Sequence, residues 1–381
     1  MPLPISRLLS LAPILGSVLT MPVAAQQTTQ PMRTAQATLV WQKGSLEGSE
    51  AFGRIGPAAL HSKFIAVADD ASKEILLYTH AGRLQARFGR SGTGPGEFRS
   101  ITDLTFSGDT LLVVDKGQNR VSAFLEGRVL FSRTLPRGNR RDVFENVVAA
   151  LPGGRFLFAL RPATRESLEM NVGTIQHFNY GPTNDSNWKV GEVEPPRLAV
   201  KVNAQGQDQF IVAPHLRNIA IGSEVAVSSN GRYWALANAD FEKSSIDFEF
   251  TDLERQTRTR VTVPFKPTRT RDAQIDSIAE DLARSVVQMR PTTRAVRSAI
   301  LEQIKPAWES PVLALAASNT GEVWFRENAR ENLWTKLTSG GAGVRVRLQP
   351  GDEIIAADGE MIVTRVRYLD GVPVLRLYRV R

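Results

Sequence analysis

The sequence predicts an all-β fold, a six-bladed β-propeller of four-stranded blades with a helical insertion between the fourth and fifth blades. Three observations predict it: an internal repeat with a period of 46 residues, hairpin turn signals that recur along the chain, and a length that suits six repeats. A fixed period of about 40–50 residues with several short strands per unit is typical of propeller blades.

The repeat is clearest between residues 64–78 and residues 110–124. Each copy has an apolar strand that ends in an aspartate, Asp69 or Asp115, followed by a short polar loop and a second strand that ends in an aromatic residue. The two aspartates are 46 residues apart. We interpret the two copies as consecutive blades, with each polar loop between the second and third strands of its blade.

Turn signals extend this pattern along the chain. Gly, Asn-Gly and Asp-Gly supply the positive φ that tight hairpins need. Such turns precede β-rich runs at Leu111–Val114, Phe156–Ala159, Tyr233–Ala237, Val323–Arg326 and Met361–Val366, and Ser62-Lys63 holds the equivalent place before Phe64. Six hairpins predict six blades.

Two gaps between these turns are longer than the repeat. Residues 154 to 231 contain a possible extra hairpin from Leu198 to Val212. Residues 231 to 321 contain apolar residues at helical spacing from Ile275 to Met289 and again up to Pro306. We therefore predict a helical insertion over about residues 271–306 whose apolar stripe packs on the flank of the ring.

The remaining length fits six closed blades. Once the insertions are set aside, about 280 of the residues from Ala37 onward remain, or about 47 for each of six blades. The early strand Thr38–Gln42 is expected to complete the last blade beside Arg365–Val380. This arrangement would close the ring and remove its free sheet edges.

Residues 1–25 are predicted to be a secretory signal peptide. Arg7 precedes an apolar stretch that runs to Leu19, and Val23-Ala24-Ala25 supplies the small residues for cleavage after Ala25. An uncleaved membrane anchor is the alternative, but the apolar stretch is short and Pro13 interrupts it.

We expect residues 26–36 to form a disordered linker and residues 37–381 to form the propeller. Nothing later in the chain approaches the run of about 18 apolar residues that a membrane helix needs. The sequence therefore predicts no membrane span after signal cleavage and a location in the periplasm or the extracellular medium.

The composition excludes several kinds of functional site and favours certain partners. The chain has no cysteine, which excludes disulfides, thiol nucleophiles and Cys-ligated metal sites. The 47 Lys and Arg residues exceed the 39 Asp and Glu residues, which gives a net charge of +8. The arginines are spread over the chain, which points away from nucleic acid and towards acidic surfaces, glycans or peptides. A solvated basic surface with no partner is the alternative.

Two segments carry a family resemblance. Phe88–Phe98 reads FGRSGTGPGEF and Val113–Phe124 reads VVDKGQNRVSAF. They resemble the G-x-G-P-G-E-F linker and the V-x-D-x-x-x-x-R-V/I-x-x-F motif of NHL-repeat propellers. The chain also resembles bacterial exported six-bladed propellers in which a helical insertion precedes a G-x-x-W signature, here Gly321–Trp324. The resemblance implies a fold more than an activity, because propellers host many unrelated functions.

One face of the ring gathers the candidate site residues. In a propeller, the linkers between blades and the loops between second and third strands lie on the same face. Residues 92–99, 69–74 and 115–120 should therefore share one mouth of the central channel. The glycines of the linker either form an anion-binding nest or only permit a tight turn. Because no helix follows them, a Walker or Rossmann phosphate site is excluded.

Asp69 and Asp115 allow two interpretations. As strand-end carboxylates they could ligate calcium, which would need several further oxygens at the same point. Alternatively, each aspartate caps its own loop by accepting backbone N–H bonds.

The sequence predicts no catalytic residue. The four histidines, His61, His80, His177 and His215, show no metal-ligand spacing, and no serine lies in a G-x-S-x-G elbow. We therefore predict no resident cofactor or metal, with calcium as the alternative.

We select a binding site on the linker face from basic and polar residues, because arginine holds carboxylates in a bidentate fork. The residues are Arg90, Arg99, Asp115, Asn119, Arg120, His215 and Arg217.

Three functions fit these observations. The first is a monomeric, exported, non-enzymatic propeller that binds a protein, peptide or glycan of the cell envelope through this face. The second is a calcium- or zinc-dependent propeller hydrolase or lyase, such as a lactonase-like enzyme. The third is a structural module of an envelope assembly.

Overall fold

The computed structural model describes most of the chain outside its first 24 residues. The described residues are 25–27, 32–44, 51–135, 143–162, 176–182, 188–193, 199–204, 207–212, 216, 222–285, 291–304, 308–328, 331–369 and 372–381. Of the predicted signal peptide, only Ala25 belongs to this set, and His215 and Arg217 also lie outside it.

The strands and helices follow in chain order. Three strands precede the first blade: β1 (Ala25–Gln27), β2 (Arg33–Ala35) and β3 (Ala37–Lys43). Blade one contains β4 (Ile55–Leu60), β5 (Phe64–Asp69), β6 (Glu74–Thr79) and β7 (Leu84–Phe88). Blade two contains β8 (Ile101–Ser107), β9 (Thr110–Asp115), β10 (Arg120–Leu125) and β11 (Arg128–Thr134). Blade three contains β12 (Val143–Leu151), β13 (Arg155–Pro162), β14 (Gln176–Gly181) and β15 (Trp188–Val193).

A hairpin and two helices interrupt the second half. The hairpin of β16 (Ala199–Ala204) and β17 (Gln207–Val212) precedes blade four, which contains β18 (Glu224–Val227), β19 (Tyr233–Asp240), β20 (Ser245–Asp252) and β21 (Thr257–Pro264). The helices α1 (Asp272–Ser285) and α2 (Thr293–Gln303) follow. Blade five contains β22 (Leu315–Ala317), β23 (Val323–Asn328), β24 (Leu333–Leu337) and β25 (Gly343–Arg347). Blade six contains β26 (Glu353–Asp358), β27 (Met361–Leu369) and β28 (Val372–Val380).

The strand order confirms the predicted all-β propeller. Each blade is an antiparallel sheet whose strands follow one another from the centre outwards. Inner strands contact each other between blades one and two, two and three, four and five, five and six, and six and one. β3 is the fourth strand of blade six, where it runs antiparallel to β28 with Ala37 opposite Val380. The chain therefore closes its ring as predicted, with its early strand on its last blade.

The burial pattern explains the apolar runs of the repeat. Every residue of β5 and β9 after the first is buried, because each middle strand packs against a neighbouring blade on both faces. The outer strands β7 and β11 are mostly exposed. Cores between the blades, such as the one that joins Ala66, Phe98, Val113 and Phe124, hold the ring together.

The helices pack differently from the prediction. Their apolar residues, among them Ile275, Leu282 and Ile300, form one core with Val200 and Ile211 of the β16–β17 hairpin. The prediction that the helices pack on the flank of the ring is therefore wrong. The two insertions bury their apolar faces against each other, because neither has enough apolar surface to form a core alone.

The segment predicted as a linker contributes to the sheets. β1 pairs in parallel with β21, and β2 pairs in parallel with β25. Each of these short strands extends its blade by a fifth strand. In the part of the chain that the structure describes, no helix has the length and apolarity to cross a bilayer.

The turns between the first and second strands of the blades lie on the face of the ring opposite the linkers, which we name the hairpin face. One of these turns crosses the axis of the ring. This axial turn (residues 228–232) joins β18 to β19 in blade four. The Phe106 N–H in blade two donates to the Ser229 carbonyl at 2.7 Å. The Asn230 N–H donates to the Asn319 side chain in blade five at 2.7 Å. Blades two and four are not neighbours, so these bonds span the channel and close it at this face.

Gly231 lets the axial turn fit. Its φ is +66°, and a Cβ there would lie 2.8 Å from Leu151 Cδ2 and 3.0 Å from Thr105 Cγ2. We expect Gly231→Ala to lower the free energy of unfolding by about 2 kcal/mol through backbone strain and overpacking. Urea denaturation measures this loss.

Gly359→Ala is the matched control. Gly359 also has a positive φ, +55°, but nothing lies within 4 Å of an added Cβ. Gly359→Ala should therefore lose stability through backbone strain alone. An equal loss in the free energy of unfolding for both variants would contradict the packing role of Gly231.

Candidate functional site

The linker between blades one and two binds its own glutamate. The Glu97 carboxylate accepts bonds from the backbone N–H groups of Thr93 at 2.9 Å and Gly94 at 2.8 Å. Arg90 Nε donates to the same carboxylate at 2.8 Å. The Gly94 amide and Arg90 lower the pKa of Glu97. The amides that could have formed an anion-binding nest are thus occupied from within the loop.

Arg120 holds the same linker from the other side. Its guanidinium donates to the carbonyl oxygens of Thr93 at 3.0 Å and Gly94 at 2.7 Å, and also to that of Glu97. These three carbonyls occupy the terminal nitrogens that a carboxylate ligand would need. The geometry gives Arg120 a structural role in fixing the linker.

Asp115 caps the start of blade two. Its buried carboxylate accepts bonds from the backbone N–H groups of Arg99 and Ser100, both at 2.9 Å, and from Gln118 Nε2 at 2.7 Å. Asp69 accepts the equivalent bonds from Gly53 at 3.0 Å and from Arg54 at 2.9 Å in blade one.

These contacts do not fit calcium. Both oxygens of Asp69 and Asp115 face N–H donors, whereas a cation needs oxygen ligands around it. Burial opposes ionisation of Asp69, but the N–H bonds from Gly53, Arg54 and Ala71 outweigh it and lower the pKa of the carboxyl group. The capping interpretation fits these contacts.

The contacts of the other residues in the predicted binding set do not by themselves indicate a site. Asn119 is half-buried, has a φ of +50°, and its carbonyl accepts a bond from the Leu135 N–H at 2.8 Å. Arg90 is exposed but paired with Glu97. Arg99 is exposed and has no ion-pair partner in the part of the chain that the structure describes. His215 and Arg217 lie outside the described residues, so the binding role of the set stays a prediction.

His61 lies in the hairpin face, away from the linkers. His80 Nε2 contacts the His61 carbonyl oxygen at 2.8 Å, and the His61 ring lies 4.9 Å from the Phe106 ring between centroids. Burial lowers the pKa of His61, although Asp109 partly counters it. The described residues contain no group of three His, Asp or Glu side chains placed to hold a metal ion.

An isolated acid lies in the inner strand of blade two. Thr105 Oγ1 donates to Asp103 Oδ2 at 2.9 Å, and the N–H groups of Leu104 and of Ala150 in blade three also bond to this carboxylate. Burial nevertheless raises the pKa of Asp103 from its ordinary 3.8 to about 6. Such a raised pKa suits a proton carrier. Its bonds instead join the inner strands of two blades.

The raised pKa of Asp103 predicts that the free energy of unfolding depends on pH. Asp103 binds its proton more tightly in the folded chain, so its ionisation destabilises the fold as the pH rises from 4 to above 6. Two pKa units correspond to about 3 kcal/mol, which the partial exposure of Asp103 to solvent reduces to about 1–2 kcal/mol. We expect Asp103→Asn to lose this dependence.

Urea denaturation of both proteins at several pH values tests it. The other titrating groups are common to both chains and cancel in the difference between them. Parallel stability curves for the variant and the parent between pH 4 and pH 7 would contradict the assignment.

A cavity lies between blades four and five, at the linker that carries the helical insertion. It has a volume of about 610 Å³ and opens where the chain leaves the ring for α1 and returns from α2. We name it the insertion cleft. Its apolar lining is Ile246, Val263, Phe265, Leu313 and Phe325, and its charged lining is Lys266, Arg271, Glu309, Glu327 and Arg345.

Only some of the charged side chains in the insertion cleft have an ion-pair partner among the described residues. Arg345 binds Glu327 through two bonds, from Nε at 3.2 Å and from Nη2 at 3.1 Å. Lys266 and Arg271 are exposed and have no ion-pair partner among the residues described. Glu309, which also lines the cleft, has no ion-pair partner in this set either, so two cations and one carboxylate lie beside the apolar lining, which we call the floor of the cleft.

Aromatic side chains extend this floor outwards. The Trp308 ring stacks on Phe241 with centroids 5.6 Å apart, and Phe241 meets Phe265 edge-on at 5.1 Å. The Arg269 guanidinium lies 5.4 Å from the centre of the Trp308 ring. The cleft thus combines apolar, aromatic and cationic surface, which is the composition of many ligand sites.

Sequence reasoning missed the insertion cleft. Its lining comes from two blades and from both flanks of the helical insertion, and no local motif marks it. The one available signal was the pair of unmatched basic residues, Lys266 and Arg271, directly before the helical stripe.

A comparison with family models supports the propeller fold. Residues 47–172 match the model of DUF5128, which is described as a six-bladed β-propeller. This agrees with the six blades seen here, and the finer NHL-repeat type stays a prediction. A comparison with curated protein sequences gives no match.

The chain is similar to several solved structures at low identity. A member of the DUF4221 family from Bacteroides vulgatus is 8% identical over 92% of this chain and 99% of that one, with a TM-score of 0.47. Virginiamycin B lyase from Staphylococcus aureus is 13% identical over 90% of this chain and 99% of that one, with a TM-score of 0.40.

Proposed function

We propose that the chain is an exported, non-enzymatic binding propeller that recognises a peptide of the cell envelope through its linker face. The observation that carries the proposal is the insertion cleft, in which two unpaired cations lie beside an apolar floor. The signal-like sequence of residues 1–25 supports export.

The lining of the cleft suggests what binds there. Its volume falls in the range of ligand pockets, about 300–1,000 Å³. The apolar floor favours an apolar body, and Lys266 and Arg271 favour a carboxylate beside it. A peptide that ends in apolar residues and a free C-terminal carboxylate has both features. A neutral glycan would leave the two cations unmatched.

Fluorescence polarisation with labelled peptides tests this function. The probe is a short peptide that ends in Val-Phe with a free carboxylate, and its twin ends in the C-terminal amide. We expect the carboxylate form to bind about tenfold more tightly, and the double variant Lys266→Glu/Arg271→Glu to lose at least that factor. Higher salt should weaken binding.

Arg83→Glu/Arg379→Glu is the matched control, because both residues are exposed cations on other blades. It changes the net charge equally, so we expect it to bind like the parent. Equal binding of the carboxylate and amide peptides, or normal binding by the cleft variant, would refute the proposed function.

A further inference from the structure

The outer edges of this ring accept extra strands. Gln26 of β1 lies opposite Val261 on blade four, and Ala35 of β2 lies opposite Val346 on blade five. Val261 and Val346 are fully buried. The chain therefore covers two of its own outer strands with extended segments that pair in parallel.

The outer strand of blade two has no such cover in the part of the chain that the structure describes. β11 ends its four-stranded sheet. Val129 is 41% exposed, Leu130 is 53% exposed and Phe131 is 37% exposed, and Leu125 on the adjacent strand is 40% exposed. A sheet edge with consecutive exposed apolar residues is a template for another strand.

A small cavity with a mostly apolar lining lies beside the turn that precedes β11, and Lys63, Asp109 and Glu126 also line it. It has a volume of about 80 Å³ and lies between blades one and two. Phe88, Leu111 and Phe124 line it, together with Leu125 and Gly127 next to β11. Such a space takes one branched aliphatic side chain rather than a ring system.

Two arginines flank the exposed stretch. Arg128 precedes it and Arg133 follows it, and the Arg133 guanidinium lies 4.8 Å from the centre of the Phe131 ring. Neither arginine has an ion-pair partner among the described residues. A segment that lies along β11 would therefore gain from an acidic residue at each end.

We propose that β11 is a docking edge for an extended segment of a partner protein, which adds to blade two as a fifth strand. Backbone hydrogen bonds to β11 supply affinity, and the side chains supply specificity. The segment has an aliphatic centre, one side chain of which enters the cavity beside Gly127, and acidic residues on both sides that pair with Arg128 and Arg133. This surface is separate from the insertion cleft and does not depend on it.

Peptide binding to the full chain tests the proposal. The probe is a fluorescein-labelled Asp-Val-Ile-Leu-Val-Glu peptide, and its twin carries N-methyl groups on the backbone nitrogens of all four central residues. We expect the probe to bind and its twin to lose at least about tenfold in affinity, because N-methyl groups prevent strand pairing. Equal affinities would overturn the proposal.

Three variants locate the interaction. Leu130→Lys and Arg128→Glu/Arg133→Glu should each weaken binding of the probe by about fivefold to tenfold. Leu84→Lys changes an exposed leucine on the outer strand of blade one and should bind normally. Loss of binding in Leu84→Lys, or none in the β11 variants, would contradict the site. Lys266→Glu/Arg271→Glu should also bind the probe normally, which separates this proposal from the cleft.

Hydrogen exchange and sedimentation complete the test. Saturating probe should slow amide exchange over residues 128–134 and leave residues 84–88 unchanged. Unchanged exchange over residues 128–134 would refute the docking edge. A dimer that forms without the probe and is lost in Leu130→Lys would show that a second copy, not a partner peptide, occupies the edge, and would overturn the proposed occupant.

Discussion

Replacement of Asp352 by alanine is expected to lower the free energy of unfolding by about 3–5 kcal/mol. Asp352 is fully buried and accepts bonds from Arg376 at 3.1 Å, Thr364 at 2.8 Å and the Tyr378 hydroxyl at 2.7 Å. The alanine would leave the Arg376 guanidinium, whose side chain is only 4% exposed, without its counter-charge.

The network around Asp352 reaches across the whole of blade six. Arg376 Nε donates to Gln42 of the closing strand β3 at 2.8 Å, and Asn332 of blade five donates to the Asp352 carbonyl at 3.0 Å. Burial, with the nearby charge of Asp352, raises the pKa of the Tyr378 hydroxyl, which therefore stays protonated and donates. Loss of Asp352 should thus loosen the ring closure before other parts of the fold.

Urea denaturation followed by tryptophan fluorescence measures this effect. Asp281→Ala removes an exposed ion pair to Arg284 and is expected to cost less than about 1 kcal/mol. The double variant Asp352→Leu/Arg376→Met should recover much of the lost stability, because it removes both charges. A loss below about 1 kcal/mol for Asp352→Ala would show that the buried pair does not secure the closure.

Asp115→Ala is expected to cost about 2–4 kcal/mol, because it leaves the N–H groups of Arg99 and Ser100 without an acceptor in a half-buried loop. Asp115→Asn keeps one acceptor oxygen and should lose about half as much. Chemical denaturation in buffer with a chelator measures both variants.

Calcium provides the control for Asp115. If N–H donors occupy its oxygens, millimolar calcium should leave the melting temperature of the parent chain unchanged, since a ligand that binds only the folded state raises it. A calcium-dependent rise that Asp115→Ala abolishes would contradict the capping role and restore the calcium alternative.

The repeat made the blades predictable. β5 and β9 share an apolar run and a terminal aspartate, because both are buried on two faces and both end at a linker that needs a cap. Local spacing encodes these requirements, so the turns, the second strands of each blade and the closing role of β3 could be read from the chain. The helical period of residues 275–304 was equally readable.

Packing partners between distant segments were not predictable in the same way. The period of α1 shows that Ile275 and Leu282 share an apolar face, but not that this face meets Val200 and Ile211. The insertion cleft likewise depends on how Phe265 and Phe325 approach each other from different blades. The sequence also does not show the three carbonyl oxygens that Arg120 binds.

The pairing of β3 with β28 also fixes the order of events during folding. During synthesis from the amino end, β3 is made long before β28, so the closing strand remains without its partner until β28 has been made. Contacts between such distant residues slow folding. During that interval neither edge of β3 has a partner strand, and an unpaired strand invites aggregation. The ring consequently closes only when β28 pairs with β3.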